Sequence, residues 1–285
     1  MALQLLTFVL LLLLFAIGAG FLGSLAGLGG GVILVPVMVI AFHVPFILAV
    51  GASAISVLAT STTAGAAYVH DHLTDIRIGM FLEIATVPGA LVGAAITIVL
   101  AKADLVPILL ILLGAVLLST LPSGMIHKED IPTGVVPDAR SRKLHLGGTY
   151  FDRKLGRPVT YRAANTNRAL QVMFGAGLVA GMFGIGSGVL KVLALDRALR
   201  LPMKVSTATS NFMIGVTAAA GASVLLAAGY VQPVIAAPVA LGTTMGSFLG
   251  SRILPGLSNR VVRYVFQALL VALAVELILR GLGIG

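Results

Sequence analysis

Gly27-Leu28-Gly29-Gly30-Gly31-Val32-Ile33-Leu34-Val35-Pro36 is a glycine-rich break followed at once by an apolar run. It occurs twice. An ungapped shift of 157 residues lays Gly184-Ile185-Gly186-Ser187-Gly188-Val189-Leu190-Lys191-Val192 over it. The same shift pairs Gly20 with Gly177, Pro45 with Pro202, Ser53 with Ser210, Gly89 with Gly246 and Gly93 with Gly250. A frame shared from about residue 20 to residue 97 marks an internal duplication rather than chance glycine content. Glycine-interrupted apolar segments at matching positions of two halves point to the substrate site of a transporter.

The flanks of the motif set the class. Residues 3–28 hold no charge, and the chain is 58% hydrophobic and 10% charged, against roughly 25% charged for a soluble domain. Runs of this length exceed the ~20 residues that span a bilayer. The expected fold is an all-α polytopic membrane protein. The first segment lacks a basic leader and its apolar run is too long for a secretory signal peptide. With no cysteine, disulfide frameworks and thiol chemistry are excluded. The net charge of +9 reads as cytoplasmic loop charge rather than as a nucleic-acid footprint.

Hydropathy predicts five helical segments per half, at about 3–24, 28–42, 46–69, 77–100 and 104–122, then 167–183, 187–200, 204–228, 232–254 and 261–280. The repeats are thus 1–122 and 167–285. The second segment of each is short. At 1.5 Å per residue, ~14 residues reach about 21 Å, less than the ~30 Å hydrocarbon core. Each Gly motif therefore either lies part-way into the membrane or belongs to a re-entrant hairpin, against protein or a water-filled cavity. An odd number of crossings per repeat makes the halves inverted. Residues 123–168 carry nine of the 19 Lys/Arg residues and four of the ten acids. Placing the 123–166 loop in the cytoplasm puts both termini outside a cell (inner) membrane. Only Lys102 and Arg280 then fall outside, with Lys191 in the membrane, as the positive-inside rule asks. Alternation over 143–163, around Gly147-Gly148 and Leu155-Gly156, predicts a small β-hairpin in that loop. A disordered linker is the competing reading.

Candidate site residues follow from the repeat. Each Gly motif ends where a helix begins, near Val32 and Val189. Gly29, Gly30 and Gly31, with Gly186, Ser187 and Gly188, let backbone approach a ligand, and free N–H groups at a helix start attract anions. The pairs Gly23–Gly27, Gly177–Gly181, Gly89–Gly93 and Gly246–Gly250 read instead as small-xxx-small packing. Lys191 stands where the first copy has Leu34. A cation in the first turn of a helix at bilayer depth is disfavoured twice. A bound anion would offset that, as would snorkelling or a pair with Glu83 or Glu276. Ser53, Thr209, Ser210 and Asn211 recur in register with the motifs and offer hydrogen bonds to an oxyanion. Thr60 to Thr63 read as bonded to their own helix. Glu83, about two turns into an apolar segment, is the candidate carrier of a coupling proton. Glu276 reads as an i,i+4 partner of Arg280. His70, Asp71, His72 and Asp75 read as a solvated turn, not a metal site. No metal or other cofactor is expected.

The stretch Gly27–Pro36, Pro45 with Ala49-Val50-Gly51-Ala52-Ser53, and Gly184–Gly188 followed by Lys204 and Ala208-Thr209-Ser210 resemble the TauE/SafE sulfite exporter family. That family is also called the 4-toluene sulfonate uptake permease family. The likeness covers both halves and leaves out the central loop. It implies a prokaryotic-type inner-membrane permease for sulfur-containing anions such as sulfite, sulfonates and sulfoacetate. The second motif departs from the first at Leu193, in place of Pro36, and at Lys191.

The function expected is a secondary transporter for a small sulfur-containing anion, working by alternating access between two lipid-embedded repeats. Helix starts at the Gly motifs, Lys191, Ser53, Thr209, Ser210 and Asn211 would hold the anion. No GxxxxGK[ST] loop appears, so coupling to an ion such as a proton, or to membrane potential, is expected over ATP. The alternatives are a permease for a carboxylate and an intramembrane serine hydrolase using Ser53. The hydrolase needs a base on a facing helix, and the five histidines fall in loops or at helix ends.

Overall fold

The computed structural model describes residues 2–26, 30–70, 73–121, 135–152, 156–253 and 259–284. Helices α1 (Ala2–Ala26), α2 (Gly31–Ile40), α3 (Phe46–His70), α4 (Ile76–Lys102) and α5 (Val106–Thr120) make up the first half. A short α6 (Ala139–Lys143) and strands β1 (Gly147–Asp152) and β2 (Arg157–Arg162) follow. The second half holds α7 (Thr166–Phe183), α8 (Gly188–Leu193), α9 (Met203–Ala227), α10 (Pro233–Ile253) and α11 (Asn259–Gly281). α8 runs on into a π-helical turn, Ala194–Ala198.

Leu3–Gly23, Ile76–Lys102 and Met203–Ala227 are long and apolar enough to cross a membrane, and several shorter helices are equally apolar. Leu6, Leu14, Ile84, Val99, Leu241 and Met245 are exposed. So much apolar surface would drive aggregation in water but suits lipid. The molecule is a helical, multi-pass membrane protein.

Helix contacts repeat under the 157-residue shift. α1 packs on α10, α4 on α7, α3 on α9 and α5 on α11. The shift exchanges the first two pairs and returns each of the last two to itself. The correspondence reaches single residues. A Cβ on Gly177 would collide with Thr86, and one on its counterpart Gly20 would collide with Thr243, the counterpart of Thr86. Likewise Gly89 abuts Phe174 and Leu178, while Gly246 abuts Ile17 and Phe21. Gly93 and Gly181 lie equally close to the backbone of Leu178 and Ala90. Lipid tails are as apolar as the helices, so contact must come from close van der Waals approach, which glycine permits. These glycines serve packing, as their spacing predicts.

The two helices that follow the Gly motifs are short. α2 has 10 residues, about 15 Å of rise, and is buried from Gly31 through Pro36. It starts abruptly because Gly30 holds φ 69°, outside the helical well. α8 starts the same way, after Gly186 at φ 74° and Ser187 at φ 44°.

β1 and β2 form an antiparallel hairpin with Gly147 opposite Arg162 and Asp152 opposite Arg157, within the alternating 143–163 stretch. It is bound to the ends of membrane helices. Lys204 of α9 donates to both oxygens of Asp152, at 2.8 and 2.9 Å. The Tyr161 hydroxyl donates to Asp75 Oδ2 at 2.9 Å, while Asp75 Oδ1 caps α4 through Ile78 N–H. Burial first, then the Asp75 carboxylate, raises the Tyr161 phenol above its ordinary value. Tyr150 and Val159 pack with Val205 of α9. Arg77 donates to the His145 carbonyl, and Asp138 caps α6 and accepts from Thr166 at the start of α7. The described part of the central segment is therefore ordered against α4, α7 and α9. Residues 122–134 lie outside the described residues.

Candidate functional site

The two Gly motifs meet beside α3 and α9. Ser53 joins them. Its buried hydroxyl donates to the Gly184 carbonyl at 2.8 Å, and a Cβ on Gly31 would stand 3.2 Å from Ser53 Oγ and 3.3 Å from Gly184 O. Ser210, the counterpart of Ser53, donates to the Gly188 carbonyl at 3.2 Å. Gly186 and Gly188 pack on Ile214 of α9, and Gly186 also on Val57 of α3. Gly30, Gly31, Ser53, Gly186, Ser187, Gly188 and Ser210 thus form one buried cluster. Gly29 lies outside the described residues.

Neither short helix is capped by a side chain; in α2 the Ile33 and Leu34 N–H groups turn back to the Gly30 carbonyl, which leaves the N–H groups of Gly31 and Val32 without a helical acceptor. Ser187 goes further. It is 6% exposed, and its hydroxyl is the one buried side-chain N or O atom without a partner among the described residues. Buried hydroxyls are nearly always hydrogen bonded, and leaving one unpaired costs about 1–3 kcal/mol. The same residue holds a left-handed backbone, φ 44° and ψ 32°, where its counterpart is Gly30, for which a positive φ costs little. Two unfavourable features coincide on one residue of the second Gly motif.

Lys191 is fully buried. Its ammonium donates to the Met213 carbonyl at 3.0 Å and to Thr217 Oγ1. Glu83 of α4, 5% exposed, stands 4.0 Å from it. The Thr217 hydroxyl also reaches both Glu83 oxygens, at 3.0 and 3.1 Å. The cation of the second half and the acid of the first therefore share one hydroxyl. Each compensates the other's burial, as the paired reading of Lys191 expects. An unpaired buried charge would cost about 3–5 kcal/mol. Glu276 is elsewhere, held by Arg280 at 2.9 Å.

Thr209 and Asn211 are not part of the cluster. Thr209 Oγ1 accepts from Asp75 N–H at 3.0 Å, at the start of α4. Asn211 donates to the Thr207 carbonyl, one turn back on its own helix. Thr60, Ser61 and Thr62 bond their own helix backbone, as expected. Thr217 escaped the sequence reading. Its counterpart is Thr60, and its own bond to the Met213 carbonyl at 2.8 Å is the same backbone habit. Only Glu83 and Lys191 distinguish it, and they come from other helices. Among the described residues no group of three or more His, Cys, Asp or Glu side chains is placed to hold a metal.

The chain is similar throughout its length to membrane proteins of Bacillus subtilis (strain 168). It is 27% identical to the probable membrane transporter protein YunE, over 97% of this chain and 99% of that one. It is 25% identical to the probable membrane transporter protein YjnA, over 94% of this chain and 98% of the other. A third, the probable membrane transporter protein YdhB, is 24% identical over 86% of this chain and 88% of its own. No solved structure matches the chain. The family model described as sulfite exporter TauE/SafE matches residues 12–277, which takes in both Gly motifs, Glu83 and Lys191. The chain belongs to the TauE/SafE sulfite exporter family of membrane transporters.

Proposed function

We propose that this transporter moves a small sulfur-containing anion, such as sulfite, a sulfonate or sulfoacetate, across the cell membrane by alternating access. The anion sits between the two Gly motifs. The unpartnered, buried Ser187 hydroxyl carries this reading, because an oxyanion there would supply its missing acceptor. The first N–H groups of α2 add donors, and Lys191, one turn beyond Ser187, adds positive charge. The exchange of helix pairs under the repeat shift supports an inverted arrangement, since five segments per half reverse the second half in the membrane. The loop 123–166 then lies in the cytoplasm and both termini outside. Transport is ion-coupled, with Glu83 the residue that takes a proton.

Uptake into proteoliposomes tests this, with sulfite, thiosulfate, methanesulfonate, benzenesulfonate, sulfoacetate and acetate run in parallel. Saturable flux of a sulfur anion, weakened by Ser187→Gly, is the expected result. Flux of acetate alone would replace the sulfur cargo with a carboxylate. No saturable flux of any anion would overturn the reading.

A further inference from the structure

We infer that the substrate anion and Glu83 compete for Lys191, so that each monovalent anion crosses with one proton and the cycle moves no net charge. The inference rests on the anion-carrier reading above and specifies its coupling. With Lys191 protonated and Glu83 ionised, the empty site is neutral, and Thr217 lies between the two groups. The ammonium has three N–H bonds. Two go to the Met213 carbonyl and Thr217 Oγ1, and the third has no acceptor within hydrogen-bond distance among the described residues.

Lys191 lies one turn after Ser187, its own N–H donating to the Ser187 carbonyl at 3.1 Å. Long helical side chains lean toward the helix start, the end of α8 that Ser187 precedes. Met213 and Thr217, which hold the ammonium, flank Ile214, on which Gly186 and Gly188 pack. An anion taken by Ser187 and Lys191 thus comes to rest beside Glu83. With Glu83 ionised, the buried site would hold two anionic groups against one cation, and an apolar surround strongly disfavours that net charge. Protonation of Glu83 removes the conflict. The hydrogen bonds allow it without a change of partners. Thr217 has one proton and two acceptors, Glu83 and the Met213 carbonyl. When Glu83 is ionised, Thr217 donates to it. When Glu83 carries a proton, it donates to Thr217, which turns its own proton to Met213. The loaded site is then Lys191 ammonium, substrate anion and neutral Glu83. The proton enters from the same side as the anion and leaves with it.

No other charged group on the packed elements faces Glu83 among the described residues. α7 has Arg168 in its exposed first turn, and α9 has Lys204, bound to Asp152 at its end. α5 carries no charge, and α3 has only His70, its last residue. The counterparts of Glu83, Lys191 and Thr217 in the duplicated position are Ala240, Leu34 and Thr60. The repeat-related position therefore lacks such a pair, which sets one proton per turnover.

Accumulation of methanesulfonate, a monoanion at every working pH, decides the matter in proteoliposomes of the full chain, with benzenesulfonate alongside. One-to-one coupling predicts about tenfold accumulation per unit of inward pH gradient and none from a membrane potential alone. Glu83→Gln should still take up the anion, ignore the pH gradient and follow the potential. The neutral pair Lys191→Met with Glu83→Gln should fold and lose saturable uptake. Accumulation by wild-type protein that follows voltage and not pH overturns this inference and leaves the carrier standing. Absence of saturable flux for every anion in the wider panel overturns the carrier reading and this coupling with it. The wild-type ratio decides even if Glu83→Gln alone fails to fold.

Discussion

Ser187 and Lys191 are one helical turn apart and carry opposite kinds of burden. Ser187 lacks a partner and holds φ 44°. The first repeat shows the relaxed alternative, Gly30. Ser187→Gly should therefore raise the stability of the empty protein by about 1 kcal/mol or more, since it relieves a left-handed non-glycine backbone and an unpaired hydroxyl. The same change should weaken anion binding by roughly tenfold, the worth of one hydrogen bond to a charged group. A thermal melt in detergent and the KM for uptake read the two effects, and a fall in both stability and KM would contradict the assignment. Lys191 and Glu83 stand on different footing, because each satisfies the other. Lys191→Met alone strands a buried carboxylate and should destabilise by about 3–5 kcal/mol, while the double change to Met and Gln should recover most of that loss. A double-mutant cycle on the melting midpoint checks it.

At the level of elements, close helix contact rests on backbone approach. Gly181 of α7 abuts the Ala90 carbonyl, whereas Gly175 on the same helix has open space around its Cβ position. Gly181→Val should cost at least about 1–3 kcal/mol through overpacking and lower the yield of folded protein. Gly175→Ala should be neutral or stabilise by up to about 1 kcal/mol. The hairpin is held by two polar ties. The Lys204–Asp152 pair has a half-exposed lysine and contributes at most about 1 kcal/mol, so Lys204→Met alone should leave the hairpin docked. Adding Tyr161→Phe should expose residues 147–162 to protease. Tyr161 keeps its proton in the folded state above the ordinary value of 10.0. Its contribution is therefore intact below about pH 10 and is lost as pH rises further. Cleavage of the hairpin should grow in that alkaline range in wild-type protein and show less pH dependence in Tyr161→Phe.

For the whole molecule, the repeat relation predicts orientation. Tags at either terminus should be open to protease from outside the cell, and a tag in 123–134 only from the cytoplasm. A cytoplasmic C-terminus would overturn this orientation, and termini on opposite sides would contradict the inverted arrangement. Much of this scale was legible beforehand. The ten segment positions agree with the observed helices to within a few residues, because hydropathy runs and Gly or Pro breaks are local. α8 differs, since its segment turns π-helical at Ala194. The buried cluster at the Gly motifs was legible in part. The shift found Gly30, Gly31, Ser53, Gly186, Gly188 and Ser210, which do cluster. It also selected Thr209 and Asn211, whose bonds go to α4 and to their own helix. Register in a repeat specifies a position along a helix but not the side of it that faces the site.

The membrane class, the duplication and the two interrupted helices belong to the sequence alone. Burial in lipid requires apolar runs and internally satisfied backbone, and both are written residue by residue. Which faces meet was decided only in three dimensions. Helices apolar on every side carry little record of their neighbours, so nothing local couples Glu83 to Lys191 or assigns Thr217 to both. Close glycine approach settles how the helices pack, and the packing in turn places one acid of the first half against one cation of the second.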